Sequence, residues 1–198
     1  MSAPVAQVLG ITPDQTVTTL HGEPIVGAAV LRAAETLRGE VISTYGTQLG
    51  PGFWDRPRDG TNPRQALREK AVGAAVLEMA RRMWAREAGL ITDVTEQAFQ
   101  QELSTQNARR SQAAAAGRPL PGVPSYDQYT YAQVRGAELD SALSKLYASK
   151  LDLSERRLRE QYKLMAGQDA PPYDQARDNV RQALIIQEYQ KALRARAS

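Results

Sequence analysis

Residues 16–45 read TVTTLHGEPIVGAAVLRAAETLRGEVISTY, and the period of their apolar positions changes part-way along. Over residues 16–26 two short runs flank His21-Gly22, a pair that suits a two-residue hairpin turn. Such a turn needs positive φ, which glycine adopts freely and histidine more readily than most other side chains. Pro24 has no N–H to give a ladder, so the second strand is expected to be short or to lie at an edge. From Val30 the pattern becomes Val30, Ala34, Leu37, Val41, Tyr45. Steps of four and three lay one stripe along a helix. Everything after that point is written in helical period, which predicts a mostly α protein with a small N-terminal β-hairpin.

Working outward, residues 46–62 form a loop rich in glycine and proline that carries Phe53 and Trp54. Asn62-Pro63 starts the next helix with an N-cap side chain, a proline at the first helical position and Gln65 placed for a capping box. That helix carries Val72, Val76, Met79 and Met83 and stops at Gly89, with Leu90 behind it. Asp93 with Glu96 is read as the cap of a third helix, on which Phe99 and Leu103 are the apolar pair. Residues 104–116 are polar and alanine-rich, and residues 117–124 hold Pro119, Pro121 and Pro124. Together, residues 104–124 read as a polar, proline-rich extension, of which residues 104–116 are either solvent-facing or a frayed helix and residues 117–124 break the chain. Ser125 with Gln128 is read as the cap of a fourth helix, patterned Tyr129, Ala132, Gly136, Leu139, Leu143, Leu146. Ser154 opens a short fifth helix, with Leu153 and Leu158 at the positions of a hydrophobic staple. A break at residues 167–172 precedes a last long helix over residues 173–196, with Val180, Leu184 and Ile185 inside. No period of 20–50 residues recurs, so one domain over residues 1–198 is expected rather than a solenoid.

Composition narrows the function classes. The 198 residues are 42% hydrophobic and 24% charged, close to the soluble globular average. A chain of that length removes roughly 70% of its unfolded surface from water. Lys and Arg number 25 against 22 Asp and Glu, a net charge of +3 too small and too interleaved to argue for nucleic-acid binding. There is no cysteine, which excludes disulfides, thiolate nucleophiles and cysteine-ligated metals, and the single histidine, His21, excludes a multi-histidine metal site. No cofactor motif is present: neither a phosphate-binding glycine loop, nor a dinucleotide fingerprint, nor a Ser-His-Asp order. No stretch approaches the roughly 18 apolar residues of a membrane span. No Lys or Arg precedes the apolar residues at 1–10, so this segment does not read as a secretory signal. The expectation is a cytoplasmic protein, or an extracytoplasmic one whose leader has been removed.

The order of these pieces resembles the chaperone part of the SurA and PrsA family of extracytoplasmic foldases. The resemblance rests on the hairpin Leu20-His21-Gly22-Glu23-Pro24-Ile25 and on the long helix of residues 67–90 with its Ala88-Gly89-Leu90-Ile91 ending. Val94-Thr95-Glu96 is similar to a motif that opens a family helix. Leu153-Ser154-Glu155 through Tyr162 looks like the segment that leads into the family's parvulin-type prolyl isomerase domain. The helix beginning Tyr173-Asp174-Gln175-Ala176-Arg177 is similar to the one that returns after that domain and packs on the N-terminal helices. Gly52-Phe53-Trp54-Asp55 resembles a loop of one branch. The match covers most of the chain through short motifs whose order is their specific feature. One departure stands out: ten residues separate Tyr162 from Tyr173, too few for an isomerase domain. The resemblance therefore implies a chaperone-like peptide binder without prolyl isomerase activity, its last helix closing on the first ones.

Single residues are weighed against that background. Phe53 and Trp54 are candidate peptide contacts, because aromatics dominate recognition hot spots, or they fold back to plug the core. Tyr126 and Tyr131 fall off the fourth helix's apolar stripe and can line a groove, whereas Tyr129 belongs to the stripe. Met79 and Met83 suit promiscuous binding or plain core packing. The basic run Arg156-Arg157-Leu158-Arg159 reads as a solvated helix face. His21 is read as a turn residue, with acid–base work as the alternative. A second hypothesis recruits the scaffold as a peptide-modifying enzyme or cyclase, with His21, Asp55 and Tyr131 as acid–base candidates. A third is an adaptor that forms a homodimer through its long helices. The expected partner in the leading reading is an unfolded or extended peptide.

Overall fold

A computed structural model describes residues 3–46, 50–58, 60–167 and 169–198. Of the loop at residues 46–62, positions 47–49 and 59 lie outside the described residues, as do positions 1, 2 and 168. The lead-in forms a short helix, α1 (Val5–Leu9), which buries Val5, Val8 and Leu9. The hairpin follows as strands β1 (Thr16–Leu20) and β2 (Glu23–Val26), antiparallel with Leu20 opposite Glu23. His21 and Gly22 both have positive φ, 48° and 87°, as the turn requires. Two strands alone are marginal in water. This pair is held because Leu20 and Ile25 are buried in the main core.

Helix α2 (Gly27–Tyr45) starts where only glycine fits. A Cβ on Gly27 would stand 1.9 Å from the Thr12 carbonyl oxygen, and the Gly27 N–H donates to the Gln15 carbonyl at 2.8 Å. The helix buries Val30, Ala34 and Val41 of the expected stripe, and also Arg32. After a 3₁₀ turn at Phe53–Asp55 comes the central helix, α3 (Pro63–Glu87). Asn62 caps it, accepting from the Gln65 N–H at 2.8 Å. The Gln65 side chain donates to Glu69 rather than returning to the cap, so the capping box forms only in half. The deepest line on α3 is Leu67, Ala71, Ala75, Ala80 and Ala85, while Val72, Val76, Met79 and Met83 pack partly buried beside it. Small residues along that line let α2 approach closely. Gly89, at φ 72°, ends the helix, and the Leu90 N–H donates to the Ala85 carbonyl at 2.8 Å.

Helix α4 (Glu96–Ala115) is capped by Thr95, which accepts from the Ala98 N–H. The Asp93 carboxylate sits one step earlier, on the Thr95 N–H, so the cap expected at Asp93 belongs to Thr95. Residues 104–115 are helical throughout. Helix α5 (Gln128–Ala148) is capped by Asp127, not Ser125. Leu139 and Leu143 of the expected stripe are buried, but the ends differ: Tyr131 is buried where Tyr129 is only half-buried, and Leu146 is 50% exposed. Ser154 caps α6 (Glu155–Met165), where Leu158 is buried and Leu153 packs on the same cluster.

The last helix, α7 (Tyr173–Arg196), packs against α3, α5 and α6. Its first half shares a cluster with α6, made of Leu158, Tyr173, Ala176, Val180 and Leu184. Its second half enters the main core through Tyr189 and Leu193. Tyr189 stacks on Trp84 of α3 at 5.3 Å, and its hydroxyl donates to Asp140 of α5 at 2.5 Å. Arg81 of α3 donates to the same carboxylate oxygen at 2.7 Å. At the helix end Arg196 lies over the Trp84 ring and pairs with Glu87, and its carbonyl stands 3.2 Å from His21 Nε2 in the hairpin. Burying a leucine side chain is worth about 1.5–3 kcal/mol, so Leu184 and Leu193 anchor one half of α7 each. Among the described residues no helix is long and apolar enough to cross a membrane.

Candidate functional site

The site with the most chemistry lies where α4 leans on α3 and α5. Only Phe99 and Leu103 on α4 are large and apolar, so this helix is held chiefly by charge. Phe99 is buried with the Arg32 guanidinium 3.9 Å from its ring centroid and that of Arg82 at 5.9 Å. Arg32 grips Glu96 with two bonds, at 2.9 and 3.0 Å, and also faces Glu78. Arg82 donates to the Asp93 carbonyl at 3.1 Å and to Glu102 at 2.8 Å. The other Glu102 oxygen accepts from Arg135 at 3.0 Å and from the Tyr131 hydroxyl at 3.3 Å. Buried arginines are tolerated because their forked donors meet carboxylates and carbonyls in fixed geometry.

This arrangement sets the charge states. Burial pushes the Glu102 carboxyl upward, but hydrogen bonds and charge from Arg82 and Arg135 outweigh it and hold the group below its usual range. Burial, followed by the charge of Glu102, pushes the Tyr131 phenol up to about 12. Tyr131 is thus a neutral donor at pH 7 and has no useful population as a base.

Beside this ion cluster the two helices leave an open groove of about 640 Å³, and Glu102, Tyr131 and Arg135 of the cluster form part of its wall. Ala98, Glu102, Thr105 and Arg109 recur at helical spacing along α4, with Gln101 and Gln106 beside them; Tyr131, Val134 and Glu138 face them from α5. Chemically the groove offers amide and hydroxyl groups that both donate and accept, one small apolar wall and mixed charge. That lining suits a polar, extended chain better than a compact apolar ligand.

The sequence-predicted residues fall in several places. Phe53 is buried and Trp54 half-buried; their rings meet edge to face at 5.1 Å, and Trp54 packs on the main core. They line a second opening of about 530 Å³ together with Gln7, Val8 and Arg64. Tyr126 is half-buried with its ring 6.4 Å from that of Tyr131. The aromatic candidates therefore form two separate pairs, which line no opening in common. Tyr131 is buried with its hydroxyl already on Glu102, so it is part of the wall and not a free contact. The acid–base candidates do not converge either. His21 sits exposed in its turn beside the Arg196 carbonyl, and both Asp55 oxygens are taken by Arg64, at 2.9 and 3.0 Å. Glu102, Arg82, Arg135, Arg110 and Asn107 were not among the sequence candidates. The signal for the last two was present: residues 99, 103, 107 and 110 continue one helical stripe into the stretch read as an extension. Compared with family models, with curated proteins and with solved structures, the chain matches none of them.

Proposed function

We propose that this protein is a chaperone-like holder of unfolded or extended polypeptide, similar in kind to the SurA and PrsA foldases but without prolyl isomerase activity. The observation that carries the reading is the open groove between α4 and α5, whose Gln101, Thr105 and Gln106 side chains can satisfy backbone N–H and C=O groups of any sequence. Val134 and the Tyr131 ring add a short apolar wall for one client side chain at a time. In the foldases that the chain resembles, an isomerase domain stands between the segments corresponding to α6 and α7; here the Tyr162 and Tyr173 rings of those two helices have centroids 5.5 Å apart. Holding works by mass action: each bound segment leaves the pool that aggregates. His21, Asp55 and Tyr131 stand at three different places, which leaves the peptide-modifying or cyclase reading without a converged site.

The expected result is that a several-fold excess of the protein suppresses light scattering by an unrelated denatured protein while leaving the rate of prolyl cis–trans exchange in a test peptide at its uncatalysed value. Undiminished scattering at that excess refutes the reading.

A further inference from the structure

Residues 118–126, RPLPGVPSY, leave α4 and return along its side as an exposed strap without helix or strand. Their attachment is made by two α4 side chains one turn apart. Asn107 bonds a single residue twice: its Nδ2 donates to the Tyr126 carbonyl and its Oδ1 accepts from the Tyr126 N–H, both at 2.8 Å. This is the pattern a neighbouring strand would offer, supplied by a side chain. Arg110, only 5% exposed, donates to the Pro121 carbonyl at 2.8 Å, to the Val123 carbonyl and to the Tyr126 hydroxyl at 3.1 Å. Its guanidinium also lies 4.3 Å from the Tyr126 ring centroid.

These contacts read the backbone and one aromatic ring and leave most of the strap's side chains in solvent. Val123 is 47% exposed. The strap bends at Pro121-Gly122, where Gly122 has φ 77°, and again at Pro124-Ser125; its prolines restrict these bends and bring no N–H that would need a partner. Any other segment that bends in the same way, with carbonyls at the same spacing and a tyrosine at the end, meets the same donors.

We propose that the Asn107–Arg110 face of α4 is a receptor for bent, proline-containing, tyrosine-ended polypeptide, occupied in the free chain by its own residues 118–126. The inference rests on the peptide-holding reading above and names the segment class that one face selects. The tethered strap competes at a high effective concentration, so the free site is weakly accessible until the strap lifts.

The test uses a fluorescent nonapeptide of sequence RPLPGVPSY, read by anisotropy, and a full chain whose own strap is weakened by Pro121→Gly, Pro124→Gly and Tyr126→Ala. The peptide is expected to bind the weakened chain at least tenfold tighter than the intact one, and adding Arg110→Met or Asn107→Leu is expected to remove that gain. Equal affinity for intact and weakened chains, or binding indifferent to Arg110→Met, overturns the proposal. Helical circular dichroism checks that each variant folds. Should the Arg110→Met chain melt, hydrogen exchange on the intact protein decides: saturating nonapeptide must speed exchange of the Tyr126 amide about tenfold, and unchanged exchange is the contrary result. Clients held equally well by the Arg110→Met chain would remove this inference and leave the general holding activity standing. Loss of holding with the nonapeptide still bound at Arg110 would remove the activity instead.

Discussion

Replacing Tyr189 with alanine is expected to cost about 3–5 kcal/mol in chemical denaturation, the range for deleting a fully buried aromatic side chain. Tyr189 is 1% exposed, stacks on Trp84 and joins α7 to α5 through Asp140. Truncation removes all three at once and releases the half of α7 that enters the main core. Tyr189→Phe keeps the ring and loses only the hydroxyl. Asp140 still has Arg81 at 2.7 Å, so that variant is expected to lose about 1–2 kcal/mol. A Tyr189→Ala loss below about 1 kcal/mol would mean that the closing helix is an ornament and not a clamp.

Glu102→Ala is the second large effect. It leaves Arg82, whose side chain is 5% exposed, with the Asp93 carbonyl alone, and it strips Arg135 and Tyr131 of their shared partner. Breaking a buried pair costs about 3–5 kcal/mol, and with Glu102 itself about a quarter exposed the expected loss is roughly 2–4 kcal/mol. The isosteric Glu102→Gln separates charge from shape. The Glu102 carboxyl is held below its ordinary value of 4.5, so the unfolded chain takes up its proton first as pH falls. Its stabilisation is therefore full above that value and disappears as pH drops through the lower, folded value. The stability gap between wild type and Glu102→Gln is expected to be constant from pH 7 to about pH 5 and to close below 4.5. A gap that persists unchanged at pH 3 would contradict the assignment of Glu102 as a charged keystone.

What the residues reveal locally they reveal well. His21-Gly22, Asn62-Pro63, Gly89 and Ser154 act within a few positions of themselves, and each forms the turn, cap or stop its chemistry demands. The span Tyr173–Arg196 is legible for the same reason, since Pro172 and the polar break before it leave the helix one place to start. Phase is harder. On α5 both Tyr129 and Tyr131 stand at the amphipathic edge, and the choice between them is made by Phe99 and Glu102 arriving from another helix, information that no local period contains. Residues 104–116 are legible in part: they continue α4 to Ala115 with most side chains facing solvent, which is one of the two readings, but what anchors them is hidden. Their few large apolar groups suggest a frayed piece, yet Arg110 reaches the carbonyls of a strap 11 and 13 residues away and holds the stretch down. Hydrophobic periodicity is blind to a helix anchored by arginine and asparagine. The candidate site is built largely from such residues, and for that reason it emerges only in three dimensions.

The groove itself is tested most directly by asking where a client sits. A photo-crosslinking amino acid placed at Gln106, inside the groove, is expected to capture a denatured client several-fold more efficiently than one placed at Arg156, a side chain 76% exposed on α6. Equal capture at the two positions, or suppression of aggregation with no adduct at Gln106, would contradict the account.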